Sequence, residues 1–263
     1  MIEIIIFLFS GIFIGIVAGL FGLGGGLLIV PVVTYSLIYF SKIPSDQAIL
    51  IAISTSLASM IMTGAMAVYA HTKNTNIDYK IIKKFLLGLI IGSIFTGYFF
   101  KVIPGDYLKN LFILYTLFTA YRLFNSNVTQ KKPKLPGLLW TNFVGLFFSM
   151  ISGILGIGGG TLFTPYLIKY NVPSRLAIGT SSAFGFFIGL FASITVFISS
   201  SSMEHNNIPL FGYIYIPAII FLTLPSLVFV NLSAGWLLKI SDARAKHWFA
   251  SFLLIIGVSM ALQ

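Results

Sequence analysis

The chain has 263 residues, 57% of them hydrophobic and only 8% charged, with a mean hydropathy of +0.99. A soluble domain carries about 25% charged residues, so this composition excludes a soluble globular protein and defines an all-α polytopic membrane protein. Sixteen Lys and Arg against six acids would suggest nucleic acid in a soluble chain. Here the excess follows from the enrichment of basic residues in cytoplasmic loops, and the lack of cysteine excludes a disulfide framework.

The N-terminus, Met1-Ile2-Glu3-Ile4, has no basic region before its apolar stretch, so no cleaved signal peptide is expected. Residues 4–40 form an uncharged run, too long for one span of about 20 residues. They are read as a helical hairpin whose arms meet at a glycine break. Lys42 to Asp46 make a polar turn, and spans follow at 48–70, 85–100 and 107–121, the first two separated by a basic loop from His71 to Lys84. This gives a first repeat over 1–124. A cytoplasmic linker at 125–136 holds Lys131, Lys132 and Lys134. The second repeat, 137–263, opens with another uncharged run at 137–168 and continues with spans at 176–198, 209–232 and 245–262.

The halves echo one another in order. Gly19-Leu20-Phe21-Gly22-Leu23-Gly24-Gly25-Gly26, closed by Pro31, recurs as Gly153-Ile154-Leu155-Gly156-Ile157-Gly158-Gly159-Gly160, closed by Pro165, at a constant shift of 134. Ala52-Ile53-Ser54-Thr55-Ser56 recurs as Ala177-Ile178-Gly179-Thr180-Ser181 at a shift of 125. Asp106 and Asp242 stand alike before the last span of each half, as helix N-caps would. Repeated order of this kind marks an internal duplication.

Charge counting sets the topology. With each long run a hairpin, one side collects thirteen Lys and Arg (73, 80, 83, 84, 122, 131, 132, 134, 169, 175, 239, 244 and 246) and the other collects three (42, 101 and 109). With each run a single span, the sides would hold eight each. The uneven distribution favours hairpins. Both termini then lie outside, and the halves are inverted relative to each other.

Glycine is a poor interior helix residue and proline lacks a backbone donor, so each copy is expected to break its helix. In lipid, broken backbone survives only where protein buries it or where it lines a watery cavity. Paired breaks in two halves are the sequence pointer to a transporter's binding site. Freed N–H groups and the start of a helix after Gly26 or Gly160 make a concavity suited to an anion. The expected substrate cradle comprises Gly22, Gly24, Gly25, Gly26, Gly156, Gly158, Gly159 and Gly160, with Pro31 and Pro165 as helix-break or gating residues. Thr55, Ser56, Thr180 and Ser181 would add hydroxyl donors. The alternative for the glycines is close helix packing, and for the hydroxyls bonding to their own helix. Duplication of both features weighs against packing alone.

Other candidates read more plainly. Arg175 suits a snorkelling anchor, and Asn142 suits an interhelical hydrogen bond. Trp140, Trp236 and Trp248 fall near span ends, as interfacial anchors do. His71 and His247 are placed at span ends and His205 in an external loop with Glu204; their spacing predicts no metal site and no cofactor is expected. The six acids all fall in loops or at segment ends. With no relay group expected inside the membrane, the reading is uncoupled export of an anion down its electrochemical gradient, with sodium coupling at the breaks left open.

The paired glycine segments, each followed by a proline and then an Ala-Ile-(Gly/Ser)-Thr-Ser span start, resemble the sulfite exporter TauE/SafE family, also called the 4-toluene sulfonate uptake permease family. The resemblance covers essentially the whole chain. It implies a permease of the inner (plasma) membrane of a prokaryotic cell for small sulfur-containing anions such as sulfite or organosulfonates. Ser54 departs from it, standing where Gly179 stands in the second half. The partners expected are the small anion and the lipid bilayer, without nucleic acid; a homo-oligomer is compatible. The alternatives are a carrier of another small metabolite or ion with packing glycines, or an intramembrane serine enzyme using Ser181. The enzyme reading lacks a base within reach.

Overall fold

A computed structural model describes residues 2–22, 24–125, 134–199, 208–236 and 242–262. The first half comprises α1 (Ile2–Phe21), α2 (Gly26–Ser41), α3 (Ser45–Lys73), α4 (Tyr79–Val102) and α5 (Gly105–Phe124). The second comprises α6 (Leu138–Ile154), α7 (Gly160–Lys169), α8 (Ser174–Ser199), a two-stranded ribbon of β1 (Leu210–Phe211) and β2 (Ile214–Tyr215), a helix and α11 (Asp242–Ala261). That helix begins as α9 (Ile216–Ala218), widens into a π-turn at Ile219–Thr223 and ends as α10 (Leu224–Trp236).

Five of these helices are long and apolar enough to cross a membrane, and the arms Gly26–Ser41 and Leu138–Ile154 are shorter apolar helices. The chain is therefore an all-α polytopic membrane protein. Large apolar side chains such as Phe9, Leu87, Tyr98, Leu139 and Ile198 point outward, as lipid-facing residues do. At 1.5 Å per residue, the 29 residues of α3 span about 43 Å, well beyond the roughly 30 Å hydrocarbon core.

Packing exchanges partners between halves. The first arm α1 lies against α10 of the second half, and the first arm α6 lies against α4 of the first. The long helices α3 and α8 cross each other, and α5 packs on α11. Glycines set these approaches. A methyl on Gly11 would overlap the carbonyl of Leu222 in the π-turn, and one on Gly15 that of Ser226 on α10. On α4, Gly88 and Gly92 face Asn142 and Leu146 of α6 in the same way. At the α3–α8 crossing, Gly64 faces the backbone of Phe186, and Gly189 faces Met60 and Ile61. This is the small-residue packing of membrane helices.

Three features differ from the sequence reading. The segment expected to start a span at 209 first forms the β1–β2 ribbon, and helix begins only at Ile216. Asp106 does not cap α5: Pro104 holds that position and Asp106 lies in the first turn. The side-chain cap falls instead at Asp78, whose carboxylate accepts from the backbone of Lys80 and Ile81 at the start of α4. The charges counted at Lys131, Lys132 and Lys239, and the loop with Glu204 and His205, lie outside the described residues; so do the side chains of Trp236 and Trp248.

Candidate functional site

Both glycine segments interrupt helix, by different backbone routes. Between α1 and α2, Gly22, Gly24 and Gly25 adopt φ of 66°, 67° and 79°, a left-handed conformation that L side chains adopt only at a cost of about 1–2 kcal/mol. Between α6 and α7 only Gly156 does so, at 64°, while Gly159 stays right-handed. Pro31 and Pro165 do not end the helices that follow. Each is the sixth residue of its helix, where the missing N–H leaves the carbonyl four residues earlier, Leu27 or Thr161, without its helical donor.

The two breaks meet. A methyl on Gly24 would lie 3.5 Å from Gly158 Cα, and one on Gly26 would overlap the Gly156 carbonyl oxygen. Every glycine of the expected cradle is buried. Each break also lies against the echoed segment of the opposite half: Gly22 against Ile178, Gly156 against Ile53. The reciprocity extends outward. Gly19 faces Ser233 of α10, and its counterpart Gly153 faces Thr96 of α4.

The four hydroxyl residues are fully buried and are employed unequally. Thr55 Oγ1 donates to the Ile51 carbonyl at 2.7 Å and accepts the Tyr215 N–H at 2.9 Å. Thr180 Oγ1 accepts the Asp78 N–H at 3.0 Å. Tyr215 and Asp78 stand at the N-caps of α9 and α4, so each threonine satisfies a backbone donor at a helix start in the same pseudo-equivalent place. Ser56 Oγ donates to the Gly156 carbonyl at 2.7 Å, tying α3 to the second break. Ser181, its counterpart, has no hydrogen-bond partner. On α3, Thr63 donates to the Gly24 carbonyl at 2.9 Å.

Several contributors carried no signal in the sequence. Met60, fully buried, brings its Cγ to 3.7 Å from a methyl position on Gly24 and its Sδ to 3.0 Å from one on Gly26. Its counterpart by the shift of 125 is Gly185, which lies against Gly159. Near the open end of the α1–α2 hairpin, the Glu3 carboxylate accepts from Ser36 and from Tyr215 Oη at 2.8 Å. Burial, and then the adjacent carboxylate, push the Tyr215 phenol above its usual range, which keeps it a donor. Beside it, Ser54 lines a narrow cleft with Ser193 and Tyr213. Asn142 forms the interhelical bond expected of it, accepting from Gly88 N at 2.9 Å. Among the described residues, no group of His, Asp and Glu is arranged to hold a metal. His71 stands at a span end as expected, in the last turn of α3, and is fully buried there.

Two halves, each with a broken hairpin whose break packs on the other half, suit a membrane transporter. The comparisons agree. The chain matches the sulfite exporter TauE/SafE family over residues 7–260 and belongs to that family of membrane transporters. It is 28% identical to a probable membrane transporter protein of Haemophilus influenzae, covering 99% of this chain and 98% of the relative. A probable membrane transporter protein of Methanocaldococcus jannaschii is 26% identical, over 96% and 93% of the two chains. The Bacillus subtilis protein YunE, with the same description, is 27% identical over 78% and 81%. No solved structure matches.

Proposed function

We propose that the protein is a secondary permease of the prokaryotic inner membrane that moves small sulfur-containing anions, of the sulfite or organosulfonate class, by alternating access around the paired glycine breaks. The observation that carries this reading is the meeting of the two breaks, Gly24 against Gly158 and Gly26 against Gly156. Close-packed glycine backbones present N–H groups with no side chain in the way, which suits an oxyanion more than a bulky or apolar solute. The first turns of α2 and α7 leave N–H groups without helical acceptors at this meeting point. Ser181 supplies a buried hydroxyl without a protein partner, one residue from Ser182, whose Oγ lies 2.7 Å from a methyl position on Gly22. The reciprocal packing of the halves suits inverted repeats, with the linker at 125–136 inside and both termini outside. In such an arrangement, rocking one half against the other would expose the breaks to each side in turn.

The test is flux of labelled sulfite and of methanesulfonate, whose charge is fixed near neutral pH, in proteoliposomes with the membrane potential clamped. At least one of these anions should cross well above protein-free liposomes and compete with the other. If neither crosses while a different small ion or metabolite in the same panel does, the substrate class is wrong.

A further inference from the structure

His71 is the buried ionisable group that the reading above leaves without a task. It lies within α3, is fully buried, and neither ring nitrogen has a hydrogen-bond partner. A buried polar group without a partner is costly, of order 1–3 kcal/mol, so an unpartnered imidazole calls for a functional explanation. Its place supplies one. One turn earlier on α3, Ala67 packs against Ala18 in the last turn of α1, which places the imidazole on the side of α3 that faces this helix end and Gly19. Gly19 belongs to the last turn of α1, where carbonyls lack helical donors and carry the negative end of the helix dipole. Two helical turns earlier on α3, Thr63 already donates to the carbonyl of Gly24 in the same break. His71 and Thr63, eight residues apart, therefore share the face of α3 that follows the end of α1.

The charged groups around it do not compensate it. Helix α1 carries only Glu3, in its first turn, and the described stretch of α10 carries no charged side chain. Helix α8, whose first turns meet the loop after α3, carries Arg175, which is exposed, and α5, with Asp106, Lys109 and Arg122, meets α3 at Asp46 near its opposite end. On α3 the others are Lys73, which is exposed, and Asp46, near the opposite end. In the following loop Asp78 is occupied in capping α4, and Lys80, Lys83 and Lys84 of that helix are exposed. None of them is hydrogen-bonded to the ring. The second half has no counterpart, since the shift of 125 puts Val196 in the corresponding position.

We propose that His71 is a proton-binding site linked to the first glycine break: a proton taken up by the imidazole gives a second N–H donor, which turns onto the Gly19 carbonyl and ties α3 to the end of α1. Loss of the proton leaves a neutral ring whose single N–H makes this bond only about half as strongly, so proton occupancy and the geometry of the break bias one another reciprocally. Resting on the transport reading, this link makes anion flux depend on proton concentration through one residue.

The site can be tested without any substrate. In nanodiscs, a chain with His205→Asn and His247→Asn retains His71 as its single histidine, and its ring nitrogens can be followed by NMR from about pH 4 to pH 8. The imidazole should titrate, and the Gly19 carbonyl carbon should shift with the same midpoint. A ring that keeps one form over the whole range, or a Gly19 signal that ignores its titration, overturns the site. Methanesulfonate flux then separates the two proposals. In wild type the flux should change several-fold over this range, and His71→Gln or His71→Val should flatten that profile while keeping flux at its plateau. Unchanged pH dependence in both variants overturns the link to transport. Absence of flux in wild type overturns the substrate reading alone, and the NMR result still decides the proton site.

Discussion

The two glycine breaks have the same glycine count and the same proline, yet they are held by different materials. Around the second break, Gly159 lies against Phe163 and Phe184, which pack on Phe85 and Phe148 with ring centroids 4.7–5.8 Å apart. The positions equivalent to Phe148 and Phe163 in the first half are Ile14 and Ile29, and these are the side chains that line Gly25. Where the second half has Phe184, the first has Ser59, hydrogen-bonded to Thr223 in the π-turn at 3.0 Å. Aromatic pairs contribute about 0.5–1.5 kcal/mol each beyond their buried area. The second break is thus clamped by rings and has a single left-handed glycine, Gly156. The first is held by hydroxyl bonds and three left-handed glycines, and π-turns such as the one beside it recur at functional sites. Duplication preserved the contact between the breaks and let their surroundings diverge, which makes the first break the softer partner.

The largest effect is expected at the contact itself. Gly26→Ala places a methyl on the Gly156 carbonyl oxygen, with Ser56 and Met60 close behind, so the halves must separate. Loss of monodisperse protein in size-exclusion chromatography is expected; a folded, fully active variant would show that the contact is not required. Next comes the comparison of Gly25→Ala with Gly159→Ala. The first combines a left-handed φ with a 2.8 Å approach to Ile14 and should cost about 2–4 kcal/mol. The second keeps its helical φ, meets atoms at 3.2–3.3 Å and should cost less than half as much. Denaturant titration in micelles reads both, and equal losses would erase the proposed asymmetry. The threonine variants come below Gly25→Ala. Thr55→Val and Thr180→Val each strand one backbone N–H, of Tyr215 or Asp78, at about 1–3 kcal/mol. Near-equal losses would support their equivalence; a much larger loss for one would locate a second difference between the halves.

Much of this arrangement can be read from spacing. The constant shifts of 134 and 125 pair the breaks and the span starts, and the structure brings those pairs into reciprocal contact: Gly22 with Ile178, Gly156 with Ile53. Breaks, long helices and the broken hairpins all follow from glycine placement and hydropathy. What spacing does not carry is side-chain direction in a chain that is apolar nearly throughout. Met60 and Gly185 occupy matched positions, but only three-dimensional packing reveals that the thioether fills the space beside Gly24. His71 is legible as the end of a span and does lie in the last turn of α3, but nothing in the sequence shows that its imidazole is turned inward. The β1–β2 ribbon was hidden for the same reason: Leu210 to Tyr215 is as apolar as a membrane helix, and only Gly212 hints at a turn.

The exchange of partners between halves also sets a timetable for synthesis. Gly22 emerges from the ribosome 156 residues before Ile178, the residue its backbone finally meets. At about 5–20 residues per second, that is a delay of roughly 8–30 s. Throughout it the break exposes unpaired peptide groups that lipid cannot satisfy. The second break suffers no such wait, because Ile53 and Ser56 are already in place when Gly156 arrives. The nascent first hairpin must therefore be sheltered by the insertion machinery or held near the water interface until α8 is made. Assembly of this transporter proceeds as a late closure around its own first forty residues.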